Sequence, residues 1–144
     1  MTWNDEAGRS TRALVLIMLS FFAAQARAPH ATLPQAVVDA RTIYLESGTN
    51  PTGLEYTAIL ELDKWGHFVL VEKKDRADLV MRLANRSEDS SVPKGCTLIS
   101  LLDPKTGIKL WSDLEKTENS KVRNGHLLDG LRKAFDDYEK GRRS

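Results

Sequence analysis

Hydrophobic positions between residues 41 and 66 change from a strand pattern to a helix pattern. Arg41–Glu46 is rich in β-branched and aromatic residues, which is typical of a strand. The next apolar residues recur with the spacing of one helical face, at Leu54, Ala58, Leu62 and Trp65. We therefore predict a helix that opens with a capping box over Thr52–Glu55 and ends at Gly66, in a left-handed C-cap.

Two strand patterns follow this helix. His67–Glu72 contains four consecutive apolar residues, and such a run favours a strand that is buried on both faces. After a polar turn at Lys73–Arg76, Ala77–Ala84 alternates between apolar and mixed positions. This alternation puts Leu79, Met81 and Leu83 on one face of a third strand.

A hairpin is the strongest local prediction in the chain. Gly95–Leu102 and Ile108–Glu115 flank Asp103–Gly107, after a polar loop at residues 85–94. Pro104 presets a turn, and Gly107 can take the left-handed conformation that closes it.

The last segment, Ser120–Gly141, predicts a helix whose apolar face carries Leu127, Leu128, Leu131, Ala134, Phe135 and Tyr138. The predicted order is β-α-β-β-β-β-α. It indicates an α+β domain over residues 41–144, with one mostly antiparallel sheet and two helices packed on one face. Residues 27–40, with Pro29 and Pro34, are expected to form an extended lead-in.

The N-terminus has the layout of a secretory signal peptide. The run Ala13–Ala24 carries no charge, follows Arg9 and Arg12, and leads into Ala24-Gln25-Ala26. We predict a signal peptide at residues 1–26, cleaved after Ala26, and hence a periplasmic or extracellular protein with no stable membrane span. An uncleaved anchor or a buried helix is the alternative.

The net charge and the reactive side chains of the sequence exclude only a few classes of function. A net charge of +1 gives no electrostatic reason to expect binding to nucleic acid. His30, His67 and His126 lie in separate segments, and no phosphate or dinucleotide motif occurs, so we expect neither metal nor cofactor. Cys96 and His67 each open a strand, and a pocket between them would suit a small hydrolase or a ligand-binding protein. A half-buried thiol that packs in the sheet is the simpler interpretation of Cys96.

One strand carries a candidate contact surface. If Ile108, Leu110 and Leu114 face the core, Trp111 faces outward with Lys109 and Asp113, and Val80 can join them from a neighbouring strand. Trp111 then either covers the outer sheet face with its neighbours or acts as a contact residue.

The segments KWGHFVLVEKKDRADLVMRL and LLDPKTGIKLWSD resemble small exported bacterial proteins of unknown function. The layout is also similar to the amino-terminal domain of TolB and related envelope-protein domains. The resemblance implies a fold and a compartment, and it brings no catalytic residues. We therefore expect an exported, non-enzymatic module that binds another cell-envelope protein through the outer sheet face or an edge strand.

Overall fold

A computed structural model of the chain describes residues 32–46, 53–117 and 125–144. Leu33–Ser144 belong to one compact unit. The described elements are helix α1 (Gln35–Asp39), strand β1 (Thr42–Glu46), helix α2 (Leu54–Trp65), strands β2 (Val69–Leu70), β3 (Leu79–Ala84), β4 (Cys96–Leu102) and β5 (Lys109–Lys116), and helix α3 (Asp129–Arg143), with a short 3-10 helix at Lys74–Arg76.

The five strands form one mixed sheet in the order β2-β1-β3-β4-β5. The α+β class is confirmed, but the prediction of a mostly antiparallel sheet is only partly right. β1 runs parallel to both of its neighbours, whereas β3, β4 and β5 are antiparallel. The crossover through α2 makes β1 and β2 parallel, because it returns the chain in the same direction. The connection through Lys74–Arg76 then brings β3 to the other side of β1, again in the same direction.

The hydrophobic core lies between one face of this sheet and the helices. It joins β-strand residues such as Ile43, Met81 and Leu101 to helix residues such as Leu62 and Phe135. The predicted inward face of β3 is confirmed, since Leu79, Met81 and Leu83 all belong to the core.

Part of the expected extended lead-in is helical. The carbonyl oxygen of Pro34 accepts the N–H groups of Val37 and Val38, at 2.9 and 3.2 Å, and α1 follows. Proline suits the start of a helix because its fixed φ is already close to the helical value. Val37 is fully buried, so α1 is held by packing despite its length of five residues.

One of the two predicted ends of α2 is confirmed, the C-terminal one. Gly66 has φ 69° and donates its N–H to the carbonyl of Leu62, so the left-handed C-cap is confirmed. The N-cap residue is Gly53, with φ 80° and no side-chain cap, so the helix does not begin as the predicted capping box requires. Thr52 lies outside the described residues.

Helix α3 begins at Asp129, so residues 125–128 of the helix predicted from Ser120 are not helical. Residues 120–124 lie outside the described residues. Glu61 of α2 is buried, and its carboxylate accepts the N–H groups of Leu127 and Leu128, at 2.9 and 3.1 Å. Leu128 is the N-cap residue of α3 and Leu127 directly precedes it, so both N–H groups lie where the chain enters the helix. A side chain from α2 therefore marks the start of α3.

The predicted signal peptide at residues 1–26 lies outside the described residues. Among the residues that are described, no helix has the length and apolarity needed to cross a membrane.

Candidate functional site

The four predicted contact residues do not form one exposed surface. Trp111 lies opposite Leu101 and packs against the core, and Asp113 lies opposite Ile99, so both are on the helix side of the sheet. Val80 and Lys109 are on the outer face as predicted, because both lie opposite Leu102. The outward placement of Trp111 and Asp113 is wrong; whether any of the four contacts a partner stays a prediction.

A β-bulge explains the error. Leu101 lies opposite Trp111, but the next residue, Leu102, lies opposite Lys109, so Leu110 is an extra residue in β5. Leu110 and Trp111 consequently both pack against the core, which strict alternation forbids. Leu114, expected inside, is 44% exposed instead.

The outer face of the sheet is also less accessible than expected. Val80, Leu102 and Val92 are almost fully buried but do not belong to the core cluster. Val92 comes from the loop between β3 and β4. The pKa of Asp89 in the same loop is lowered, chiefly by hydrogen bonds from Ser91 and to a lesser extent by the charge of Lys109. The burial of Val92 and the effect of Lys109 on Asp89 indicate that this loop lies against the outer face.

The β5 edge of the sheet carries three features that oppose pairing with another strand. Lys109 and Lys116 stand exposed at its two ends, a bulge interrupts it, and Asp113 and Glu115 turn charge toward the helix side. Natural sheets protect open edges with these same features.

The β2 edge is different. Val69 is 64% exposed and Leu70 is 41% exposed, so the prediction of a strand buried on both faces is wrong. Among the described residues, β2 is the last strand of the sheet and pairs only with β1. Its position in the strand order cannot be read from an apolar run alone, which looks the same in a central strand and at an unprotected edge.

The backbone of β2 directs one N–H group away from β1. The N–H groups of Val69 and Val71 bond to the carbonyls of Arg41 and Ile43, at 2.7 and 2.9 Å. Because successive peptide groups in a strand point to opposite sides, the N–H of Leu70 points away from β1. The edge therefore offers a backbone donor flanked by two exposed apolar side chains.

An aromatic cluster, formed by Trp65, His67, Phe68 and Phe135, fixes the start of β2. Phe68 is only 5% exposed, and its ring centroid lies 5.8 Å from that of Phe135 in α3. Trp65 lies 5.4 Å from Phe135, and the Arg132 guanidinium lies 5.8 Å from the centroid of the Trp65 ring. Edge-to-face rings at these distances attract one another, so the cluster ties α2, β2 and α3 together.

Cys96 and His67 are not brought together. His67 precedes β2 at the N-terminal end of β1, whereas Cys96 extends beyond the C-terminal end of β3. Two strands separate β2 from β4, which is about 14 Å across the sheet at ~4.8 Å per strand. The pocket expected between these residues is not formed.

A shallow groove of about 320 Å³ lies between α1, the start of β3 and the β4–β5 turn. Its three carboxylates already accept hydrogen bonds. Asp39 accepts from the Gln35 amide, Asp78 from the N–H groups of Arg41 and Thr42, and Asp103 from those of Lys105 and Thr106. The bonds from Arg41 and Thr42 lower the pKa of Asp78. Asp39 thus bonds within α1, Asp78 joins the starts of β1 and β3, and Asp103 orders the β4–β5 turn.

Among the described residues, no group of three or more His, Cys, Asp or Glu side chains is placed to hold a metal ion. Comparison with known proteins found no matching family model, no matching curated protein and no matching solved structure. The similarity to the amino-terminal domain of TolB therefore stays a prediction.

Proposed function

We propose that this chain is an exported, non-enzymatic module of the bacterial cell envelope that binds another protein by accepting a strand at the β2 edge. The observation that carries the proposal is the exposure of Val69 and Leu70 at the end of an open sheet. Strand addition at such an edge gives affinity through main-chain hydrogen bonds and specificity through alternate side chains.

The contrast between the two edges of the sheet supports this choice. β5 has a bulge, terminal lysines and inward carboxylates, all of which discourage pairing. β2 has an uncharged run from Phe68 to Val71 and a backbone donor that points outward. β2 has an apolar side chain on each face, so we expect a partner strand that is also apolar on both faces.

The aromatic cluster supports the proposal in a second way. A strand that is ordered before the partner arrives binds it more tightly, because ordering it during binding costs free energy. Phe68 is buried beside Phe135 and immediately precedes Val69, so β2 is held in place although only two of its residues pair with β1.

The proposal that the chain is exported is supported by the sequence of residues 1–26. The uncharged run Ala13–Ala24 and the small residues that follow it are the features that support it. The resemblance to exported envelope proteins agrees with the same compartment.

Site-specific photocrosslinking in the cell envelope tests the proposal. A photoreactive amino acid replaces Val69 in one variant and Leu60 in another. Leu60 is a matched control because it is 51% exposed and apolar but lies on α2. We expect a discrete covalent adduct with one envelope protein from position 69, no such adduct from position 60, and loss of the adduct when Leu70→Lys is added. Equal crosslinking from both positions, or none from position 69, would contradict the proposal.

A further inference from the structure

His67 lies inside the aromatic cluster at the entrance to β2. Its ring stacks on Trp65 at 5.0 Å, meets the edge of Phe68 at 4.6 Å and lies 4.4 Å from Phe135. His67 thus contacts α2, the start of β2 and α3 at once. Movement of this one ring therefore changes three of the aromatic contacts around the start of β2.

One nitrogen of this ring has no hydrogen bond. Nε2 of His67 is buried and finds no partner among the described residues. A neutral imidazole tolerates this position because Nε2 can keep a lone pair while Nδ1 carries the proton. A protonated imidazole carries N–H on both nitrogens, and a buried donor without an acceptor is unfavourable.

The charged groups near His67 shift its pKa in opposite directions. Burial lowers the pKa of His67 most, the charge of Arg41 lowers it further, and Glu139 of α3 opposes both effects. Trp65 could favour a cationic ring through its π-face, but the Arg132 guanidinium already lies over that indole. The neutral ring is therefore the form that fits this cluster.

We propose that His67 is a pH-sensitive switch, which holds β2 in place while it is neutral and loosens β2 when it is protonated. A protonated ring gains by turning toward solvent, where both N–H groups find water. That movement removes the contacts of the His67 ring with Trp65 and Phe135, and β2 is then held by Phe68 and by its two pairs to β1. Stability that is present above the ordinary histidine pKa of 6.5 is then lost as the pH falls through the lower pKa of the folded state.

The consequence for binding rests on the proposed function. A loosened β2 no longer presents an ordered edge, so a partner strand that is held near neutral pH is released in acid. The switch itself concerns the free chain and does not depend on any partner.

Amide hydrogen exchange and histidine NMR titration of the free chain, with residues 1–26 removed, test the switch. We expect the protection factors of the Val69 and Val71 amides to fall at least tenfold between pH 7.5 and pH 5.0. His67→Phe keeps an aromatic ring without a titrating proton and should abolish this fall. His126→Phe is the matched control, because His126 is exposed and lies outside the cluster, and it should leave the fall unchanged.

The wild-type titration keeps the test decisive if His67→Phe fails to fold. We expect the His67 ring to titrate below the ordinary histidine pKa of 6.5 and to lose its ring-current shifts as it is protonated. Unchanged protection of β2 while His67 titrates would overturn the switch. Absence of a crosslinked partner at pH 7.5 would instead count against the proposed function and leave the switch standing.

Discussion

Trp111 shares a sheet face with the fully buried Leu101 and packs against the core, so its main role is structural. Trp111→Ala should lower the free energy of unfolding by about 2–3 kcal/mol, less than the ~3–5 kcal/mol typical of a fully buried aromatic residue. Ser112→Ala, at the exposed neighbouring position, should change it by no more than ~0.5 kcal/mol. Urea denaturation of both variants checks this. Similar midpoints for the two would show that Trp111 does not pack as described.

Glu115 lies in an unfavourable electrostatic setting. Burial raises the pKa of Glu115 most, and the carboxylates of Asp113 and Asp129 raise it further. A hydrogen bond from the N–H of Gly130 lowers this pKa and so opposes them. A carboxyl group with a raised folded-state pKa contributes stability at low pH and loses it as the pH rises through that pKa. Compared with Glu115→Gln, the wild type should therefore become relatively less stable between pH 4 and pH 7.

The measurement is the difference in urea midpoint between wild type and Glu115→Gln at each pH. Glu72→Gln, at an exposed position, is the matched control and should track the wild type. Parallel curves for wild type and Glu115→Gln would contradict the effect of Asp113 and Asp129 on Glu115.

At the scale of elements, Glu61 joins α2 to α3. Its buried carboxylate accepts two N–H groups at the start of α3, and its backbone carbonyl accepts a hydrogen bond from Arg132 at 3.2 Å. Glu61→Ala should cost about 2–4 kcal/mol, since each orphaned buried donor costs ~1–3 kcal/mol. Glu61→Gln should cost less because its amide keeps one acceptor oxygen.

Urea unfolding of the two Glu61 variants separates capping from packing. The Gln variant should lie between wild type and the Ala variant, and amide exchange at Leu127 and Leu128 should accelerate most in the Ala variant. An Ala variant as stable as wild type would show that the carboxylate does not cap α3.

Elements set by local chemistry could be predicted from the sequence. Gly66 ends α2, Gly107 takes φ 70° in the β4–β5 turn, and the turn brings its two strands together within one residue of the predicted bounds. The errors came from features that depend on distant residues. β2 is exposed because of its place in the strand order, and Trp111 turns inward because of an extra residue at Leu110. Neither strand order nor a bulge is encoded by the spacing of apolar residues within a single strand.

For the whole molecule, the order of elements in the sequence is enough to infer the α+β class. It is not enough to infer which strand forms the candidate site. The strand that the sequence assigns to the interior forms an open edge. The strand that it assigns to binding is protected by its bulge and charges.

Export is the prediction that concerns the full chain. When it is expressed in a bacterial host, the protein should lose about 26 residues, within the ~15–30 typical of signal peptides. Intact mass spectrometry of the periplasmic fraction measures this directly. A periplasmic species that retains Met1 would contradict cleavage.

An open backbone edge at β2 that accepts a strand should be visible in the exchange rate of the Leu70 amide. In the free chain at pH 7.5, the Val71 amide should be protected by its bond to Ile43, whereas the Leu70 amide should exchange much faster. In the complex captured by crosslinking at position 69, the Leu70 amide should slow by at least a hundredfold. A Leu70 amide that is already protected in the free chain, or that stays fast in the complex, would contradict the account.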